Sequence, residues 1–353
     1  MDNPPKKFTR LKILLTCFSV VLLVVLVMSV KNPWELLEVA RRAMEHPLWL
    51  VLAVAAFGGS LTCGTLRWGI LLKALKVPMG WSRAVQLYAV GHFYNILIPG
   101  ATGGDIVKAG CAVVDHPERK PEAIASILAE RLIGFVALAV VVVGVAVFRG
   151  EIFSGIEWVR WYCFGFGAAM VLGFGVLLGG RRFLVGKEKS VGSKQLAVSG
   201  ETPSTAYRLP LTAYRLQKIL PIFLRLYDAI HFSMRHPATF GKAFALSLLN
   251  HVFTGLCTGL LTLSLGMKGI DLIDVVCVMA VVSSVTAILM TPGGAGVREV
   301  ALTALLVHIN FPKAEAVTVS LLMFGVILLW AAFGGICYAV LRVRQKRNES
   351  RRF

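Results

Sequence analysis

Six long apolar runs are the feature that most constrains what this chain can fold into. A helix needs about 20 apolar residues to cross a bilayer. Apolar residues make up 56% of the chain and charged residues 16%, whereas about 25% of residues are charged in soluble domains. The sequence therefore predicts an all-α polytopic membrane protein, a single membrane domain over 1–353 with about six full transmembrane helices. The runs are 13–30, 47–66, 121–148, 161–179, 239–266 and 314–341.

The basic residues predict how these helices are oriented. The chain has a net charge of +18. With a cytoplasmic N-terminus, the loops on that side hold 27 Lys and Arg residues and the opposite loops hold seven. Basic residues accumulate in cytoplasmic loops, so the charge is explained by topology and nucleic-acid binding is not predicted. Both termini are expected in the cytoplasm, and the run 13–30 is expected to be a retained span because no small-residue cleavage site follows it.

Two further apolar regions, 84–117 and 272–310, are interrupted by similar breaks. The first contains "YNILIPGATGGDIVKAG" and the second "ILMTPGGAGVREVALTALL". The charge distribution requires the first region to enter and leave on the cytoplasmic side and the second on the outer side. Arms of about 13–19 residues are short for a hydrocarbon core of about 30 Å. We therefore predict two re-entrant hairpins that enter from opposite faces and meet near the midplane; two hairpins of short full spans are the alternative.

Corresponding broken segments in two halves are typical of an inverted repeat with a transport site between them. The polar, basic segment between the halves predicts a cytoplasmic linker that ends in an interfacial helix. The predicted division is a first half 13–180, a linker 181–238, a second half 239–341 and a basic tail 342–353.

Each Pro-Gly corner is followed by the start of a helix, and helix N-termini bind anions through unpaired N–H groups. Charges inside a membrane are costly and indicate function by default. The predicted head-group-binding residues are Asn95, Gly104, Asp105, Lys108, Glu130, Arg131, Arg298 and Glu299. The predicted structural corners are Pro99, Gly100, Gly103, Pro292, Gly293, Gly294 and Gly296.

Simpler interpretations exist for several polar residues. Asp105 and Glu299 could form structural ion pairs or cap their helices. Arg67, at the end of the second run, is interpreted as an interfacial anchor, and Asn250 and His251 as helix-packing residues. The seven cysteines include no CxxC pair, so neither a disulfide framework nor a zinc site is indicated. No cofactor, no metal and no catalytic residue is predicted.

Four blocks of the chain resemble those of the lysylphosphatidylglycerol synthase transmembrane (flippase-like) family. They are "RWGILLKALKV", "GHFYNILIPGATGGDIVKAG", "ILAERLIGF" and "TPGGAGVREVALTALL". The resemblance implies a domain that moves lipid head groups between leaflets of a bacterial or archaeal plasma (inner) membrane. Bifunctional members add a soluble synthase domain, for which a chain that ends at Phe353 has no room, so aminoacyl transfer is not expected. The usual Gly-Arg at the first corner is Gly-Ala here, which leaves position 101 without an arginine.

The expected function is translocation of an anionic or aminoacylated phospholipid, or of a polyprenyl-phosphate-linked sugar. The alternatives are an integral-membrane enzyme or a scaffold subunit in head-group modification that works with a separate synthase or glycosyltransferase. The expected partner is therefore a membrane lipid, and in the scaffold alternative also such an enzyme. The sequence does not indicate an oligomeric state.

Overall fold

The computed structural model shows helices joined by short connections. It describes residues 6–30, 32–98, 103–179, 227–228, 230–231, 236–267, 271–288 and 291–349. These ranges contain no β-strand, which confirms the all-α prediction. The α-helices are α1 (Lys6–Met28), α2 (Pro33–Glu45), α3 (Pro47–Ala74), α4 (Trp81–Leu97), α5 (Gly103–Asp115), α6 (Lys120–Phe148), α7 (Glu157–Gly179), α8 (Pro237–Ser264), α9 (Leu272–Ile288), α10 (Val297–His308) and α11 (Lys313–Glu349). Short 3-10 helices cover Pro117–Arg119, Gly150–Phe153 and Pro292–Gly294.

Five of the described helices are long and apolar enough to cross a membrane: α3, α6, α7, α8 and α11. This confirms a multi-pass membrane protein. The remaining predicted span, 13–30, corresponds to α1. Within α1 the segment Thr16–Met28 is apolar but shorter than a spanning helix. A count of six spans therefore stays a prediction. Most of the predicted linker 181–238, including most of its interfacial helix, lies outside the described residues, as do residues 350–353 of the tail.

The two interrupted regions form helix–corner–helix units. Helices α4 and α9 have 17 residues each, whereas α5 has 13 and α10 has 12. At 1.5 Å per residue these helices are roughly 18–26 Å long, less than a hydrocarbon core of about 30 Å. Helix α4 packs on α5 and α9 packs on α10. The lengths fit the predicted hairpins, while the membrane face that each one enters stays a prediction.

The two halves contain helices in the same order along the chain, and equivalent helices run in opposite directions. Helices α3–α6 of the first half correspond to α8–α11 of the second, and α3 and α8 both have 28 residues. The hydroxyls of Ser60 and Thr254 lie 3.0 Å apart, and Arg67 Nη1 donates to Ser247 Oγ at 2.8 Å. Higher residue numbers in α3 are thus in contact with lower residue numbers in α8. The two helices are therefore antiparallel. Because equivalent helices run in opposite directions, the halves form an inverted repeat.

The pseudo-two-fold axis of this repeat passes between Ser60 and Asn250. Each is the fourteenth residue of its helix, counted from Pro47 in α3 and from Pro237 in α8. Asn250 Nδ2 donates to both the Oγ and the carbonyl oxygen of Ser60, each at 2.8 Å. Equivalent residues touch each other only where they lie beside the axis. The axis therefore crosses the molecule half-way along the antiparallel pair of α3 and α8.

The first helix of each hairpin packs against a long helix of the opposite half. Helix α4 packs against α11, and α9 packs against α6. A Cβ at Gly334 of α11 would collide with the carbonyl oxygen of Ala89 in α4, so glycine permits this close approach. On the other side, Arg149 Nη1 at the end of α6 lies 3.0 Å from Asp271 and 3.1 Å from Asp274 at the start of α9. The first arm of each hairpin thus packs against α11 or α6, the fourth helix of the opposite repeat unit, while α5 and α10 pack on α6 and α11 of their own unit.

Candidate functional site

A cavity of about 340 Å³ lies on the pseudo-two-fold axis. Helices α3, α4, α6, α8, α9, α10 and α11 and the second corner contribute to its wall. Ser60 and Asn250, which mark the axis, both line it. The cavity carries charged side chains at a site half-way along spanning helices. Its charged lining residues are Arg67, Glu130, Arg131 and Arg298.

Equivalent positions of the two halves line this cavity. The twelfth residues of α4 and α9 are His92 and Ser283, and the fifteenth are Asn95 and Thr286. All four line the cavity. The repeat thus builds one shared chamber from both hairpins, as expected for a site placed between inverted halves.

A network of ion pairs surrounds Glu130 on the α6 side of the cavity. Glu130 is 2% exposed. Its Oε1 accepts from Arg67 Nη2 at 3.0 Å and from the Tyr88 hydroxyl at 3.3 Å, and Oε2 accepts from Lys108 Nζ at 2.6 Å. Lys108 Nζ also lies 3.5 Å from Asp105 and 4.7 Å from the ring centroids of Trp68 and Tyr88. Each buried charge here has an opposite partner, as burial in a low-dielectric interior requires.

Arg131 extends this network into the cavity. Its Nε donates to Asp105 Oδ2, the only hydrogen bond that its side chain makes among the described residues. The side chain is 35% exposed, more than any other member of the network. The guanidinium therefore keeps donors available on the cavity side. A planar guanidinium with available donors suits a phosphate or carboxylate group.

Among the charged groups at the cavity and directly behind it, basic side chains outnumber acidic ones by one. Four are basic and three are acidic, which leaves one positive charge in excess. An uncompensated positive charge in a buried, polar chamber favours an anionic ligand. The seven groups are Arg67, Lys108, Arg131, Arg298, Asp105, Glu130 and Glu299.

The second corner holds Arg298 in place at the cavity wall. Gly293, Gly294 and Gly296 have φ angles of 59°, 75° and 82°, which residues with a Cβ rarely adopt. Glu299, which is fully buried, accepts from Gly296 N at 2.6 Å and from Arg298 Nε at 2.9 Å. Arg298 Nη1 donates to the carbonyl oxygen of Gly293 at 3.1 Å. Glu299 thus caps α10 and at the same time orients the arginine.

The first hairpin is closed by Asn95 and Gly104. Asn95 Oδ1 accepts from Gly104 N at 2.8 Å, so an α4 side chain satisfies an N–H at the start of α5. A Cβ at Gly104 would collide with the carbonyl oxygen of Gly91, which shows how closely α4 and α5 approach. Asn95 and Ile96 also lie against Gly293 of the second corner. The two hairpins therefore meet at the cavity, as predicted.

Gly104→Ala is expected to destabilise the fold by about 1–3 kcal/mol, because the added methyl forces α4 and α5 apart. Gly110→Ala on the same helix is the matched control, since a Cβ there meets no atom within 4 Å. Thermal unfolding in detergent measures both variants. Equal unfolding temperatures for the two would contradict the close contact between α4 and α5.

The structure divides the predicted site residues into three groups. Those that line the cavity are Asn95, Glu130, Arg131, Gly293, Gly294 and Arg298. Those that do not line it are Gly103, Gly104, Asp105, Lys108, Pro292, Gly296 and Glu299, of which Asp105, Lys108 and Glu299 pair with charges that do. Pro99 and Gly100 lie outside the described residues. The meeting of the hairpins near the midplane predicts that Asp105 lies beside Arg298 and Glu299, but its described ion pairs are with Arg131 and Lys108.

The interpretation of Arg67 as an interfacial anchor is wrong. Arg67 is 8% exposed and pairs with Glu130 beside the cavity. No local pattern marks this role, because its partners Glu130 and Ser247 are 63 and 180 residues away in the chain. Asn250 packs α8 on α3, as interpreted, but it and His251 also line the cavity. Within the described ranges, no three His, Cys, Asp or Glu side chains are grouped as a metal site requires.

Comparison with known proteins agrees with this architecture. The sequence model of the family described as "Lysylphosphatidylglycerol synthase TM region" matches residues 11–335, nearly the whole chain. Neither the curated proteins nor the solved structures gave a match. The family match points to a membrane protein that handles lipid head groups or lipid-linked sugars. The chain therefore belongs to the lysylphosphatidylglycerol synthase transmembrane-region family.

Proposed function

We propose that this protein translocates a lipid with an anionic head group between the leaflets of a bacterial or archaeal plasma membrane. The substrate class is a phospholipid, aminoacylated or not, or a polyprenyl-phosphate-linked sugar. The observation that carries the proposal is the available guanidinium of Arg131, which faces a buried axial cavity with one positive charge in excess. Asn95, Glu130 and Arg298 line the same chamber and would contact the head group. Both termini are proposed to be cytoplasmic.

The position of the cavity supports transport. It lies half-way along α3 and α8, between inverted halves whose hairpins both reach it. In this class of architecture, rocking of one half against the other exposes a central site to the two sides in turn. A phosphate would lose its hydration on entering the bilayer, and the guanidinium groups of Arg131 and Arg298 replace that hydration with charge-assisted hydrogen bonds. The ion pairs behind them hold these groups in place without neutralising the chamber.

Reconstitution into vesicles tests this function. The purified protein is incorporated into liposomes that contain fluorescently labelled phosphatidylglycerol or, in parallel, labelled phosphatidylcholine. A membrane-impermeant reductant then bleaches the label in the outer leaflet. The anionic lipid is expected to exchange between leaflets faster than in protein-free vesicles, and faster than the zwitterionic lipid. No acceleration for any anionic lipid in a broad panel would refute the proposal.

The alternative functions give different results in the same system. An integral-membrane enzyme converts the labelled lipid into a product of new mass, which mass spectrometry of the vesicle lipids detects. A scaffold for a separate synthase or glycosyltransferase leaves both lipids unmoved and unmodified until that enzyme is added. Faster exchange of an unmodified anionic lipid by the protein alone excludes both as its main activity.

A further inference from the structure

A second, smaller cavity of about 110 Å³ adjoins the axial one. It lies between α3, α4 and α11, and it shares Leu61 and His92 with the axial cavity. Trp81 and Phe333, which line it, are 52% and 49% exposed on the outside of the helix bundle. The two cavities lie on either side of Leu61 and His92, and together they extend from the axis towards the outside of the helix bundle.

The smaller cavity presents an apolar wall. Its two threonines do not contribute free hydroxyls, because Thr62 Oγ1 donates to the carbonyl oxygen of Gly58 and Thr65 Oγ1 to that of Leu61, each at 2.9 Å. The rest of the outer wall consists of aromatic and aliphatic groups. They are Trp81, Val85, Tyr88, Ala89, Trp330 and Phe333, and the Tyr88 hydroxyl donates to Glu130 Oε1 at 3.3 Å.

The axial cavity itself is polarised towards this outlet. Glu130 and Arg131 are the eleventh and twelfth residues of α6, and the equivalent positions of α11 are Met323 and Phe324. Helix α6 itself thus contributes charge to the chamber, whereas α11 contributes Met323 and Ile327. Helix α11 also supplies Trp330 and Phe333 to the smaller cavity. Arg298 lies against Phe324 and is a charge on the axial side, but no described Asp, Glu, Lys or Arg lines the smaller cavity between α3, α4 and α11.

His92 lies where the two environments meet. It lines both cavities, and its Nε2 is buried with no hydrogen-bond partner among the described residues. An unpaired polar atom in such a position is costly unless a ligand or water satisfies it. The glycerol or ester oxygens of a lipid are the polar groups that follow the head group and precede the hydrocarbon.

We propose that one hydrocarbon chain of the substrate leaves the axial cavity past Leu61 and His92 and lies in the groove between α3, α4 and α11. This inference rests on the proposed function, since it needs the head group beside Arg131. It specifies an amphiphilic substrate and a fixed orientation, with the head towards α6 and the chain towards α11. The occupant of the groove is hydrocarbon because its wall is apolar and it continues the path from the anion site.

Photocrosslinking tests the orientation in vesicles. Two phosphatidylglycerol probes are used, one with a diazirine in the acyl chain and one with a diazirine on the head group. The chain probe is expected to label the peptides that carry Trp330 and Phe333, and the head-group probe those that carry Arg131. Val85→Trp fills the groove and is expected to lower chain labelling there about tenfold, equivalent to about 1.4 kcal/mol of binding free energy. Val140→Trp, at a 52% exposed position on α6, is the matched control and leaves the labelling unchanged.

The outcomes separate this inference from the proposed function. Head-group labelling at Arg131 with chain labelling elsewhere overturns the groove and leaves lipid transport intact. Absence of head-group labelling around the axial cavity overturns both. An excess of inorganic phosphate that removes head-group labelling, with no chain labelling in the groove, identifies a free anion as the ligand and also overturns the inference. Equal loss of labelling in Val85→Trp and Val140→Trp shows that the loss does not come from the groove.

Discussion

Arg131→Ala is expected to slow protein-mediated exchange of labelled phosphatidylglycerol by about 10-fold to 100-fold. A hydrogen bond to a charged group contributes about 1.5–3 kcal/mol, and each 1.4 kcal/mol corresponds to a factor of ten. Arg131 is the guanidinium with donors available to the cavity, whereas Arg298 already bonds Glu299 and the Gly293 carbonyl. Arg131→Lys keeps the charge but loses the planar donor geometry, so we expect an intermediate rate. The vesicle bleaching assay measures all of these rates.

Arg42→Ala is the matched control for this experiment. Arg42 pairs with Glu315 at 3.0 Å, but its side chain is 48% exposed and lies away from the cavity. The Glu315 side chain is 13% exposed, but because Arg42 itself is half-exposed the pair is expected to contribute only modestly to stability. The control should therefore exchange lipid at the unmodified rate.

Loss of exchange in Arg131→Ala could also come from unfolding, because Asp105 loses a partner. The double variant Asp105→Ala with Arg131→Ala removes both charges and is expected to recover the unfolding temperature without recovering exchange. If the single variant exchanges phosphatidylglycerol at the unmodified rate, Arg131 does not bind the head group.

Glu130→Ala is expected to be the most destabilising single substitution in the described part of the chain, at about 3–5 kcal/mol. Glu130 neutralises Arg67 and Lys108 at once, and side-chain exposure is only 10% for Arg67 and 3% for Lys108. Without the carboxylate, two buried cations face each other with Asp105 as the remaining nearby acid. Thermal unfolding in detergent, together with the yield of monodisperse protein, measures the effect.

Two further variants test this explanation. Glu118→Ala removes a carboxylate that is 62% exposed, so its effect on the unfolding temperature should be close to zero. Replacing Glu130 and Lys108 together with methionine removes a charge of each sign, and the double variant should be more stable than Glu130→Ala. An unfolding temperature of Glu130→Ala within a degree or two of the unmodified protein, which corresponds to about 1 kcal/mol for a chain of this length, would contradict a structural role for the network.

The long helices and the two corners were predictable because their signals are local. A run of apolar residues is sufficient to indicate a helix of spanning length, and Pro292 followed by glycines is sufficient to indicate a break. The membrane class, the all-α fold and the meeting of the hairpins follow from such signals. The pairing of Arg67 with Glu130 does not, because the two residues are joined only when α3 and α6 pack around the same cavity.

The two acidic residues after the corners illustrate the same limit. Asp105 and Glu299 are each the third residue of their helices, α5 and α10, so their equivalence is visible in the sequence. Their guanidinium partners come from different places: Arg131 lies on α6, but Arg298 is the neighbour of Glu299. At the position equivalent to Arg131, α11 carries Phe324, and the Arg298 guanidinium lies 5.7 Å from the centroid of its ring. Only the packed structure shows that both halves keep an arginine beside the acid.

The packing of α4 against α11 of the opposite half has a consequence for how the protein is made. During synthesis, α4 and α5 leave the ribosome well before the helix that supports α4, since α11 lies far downstream of both in the chain. At that stage α5 can pack on α6, but α4 lacks α11 and the cavity lacks the walls that α8 to α11 contribute. Polar groups without partners are costly in lipid. We therefore expect the first half to reach its final packing only after the second half has been synthesised.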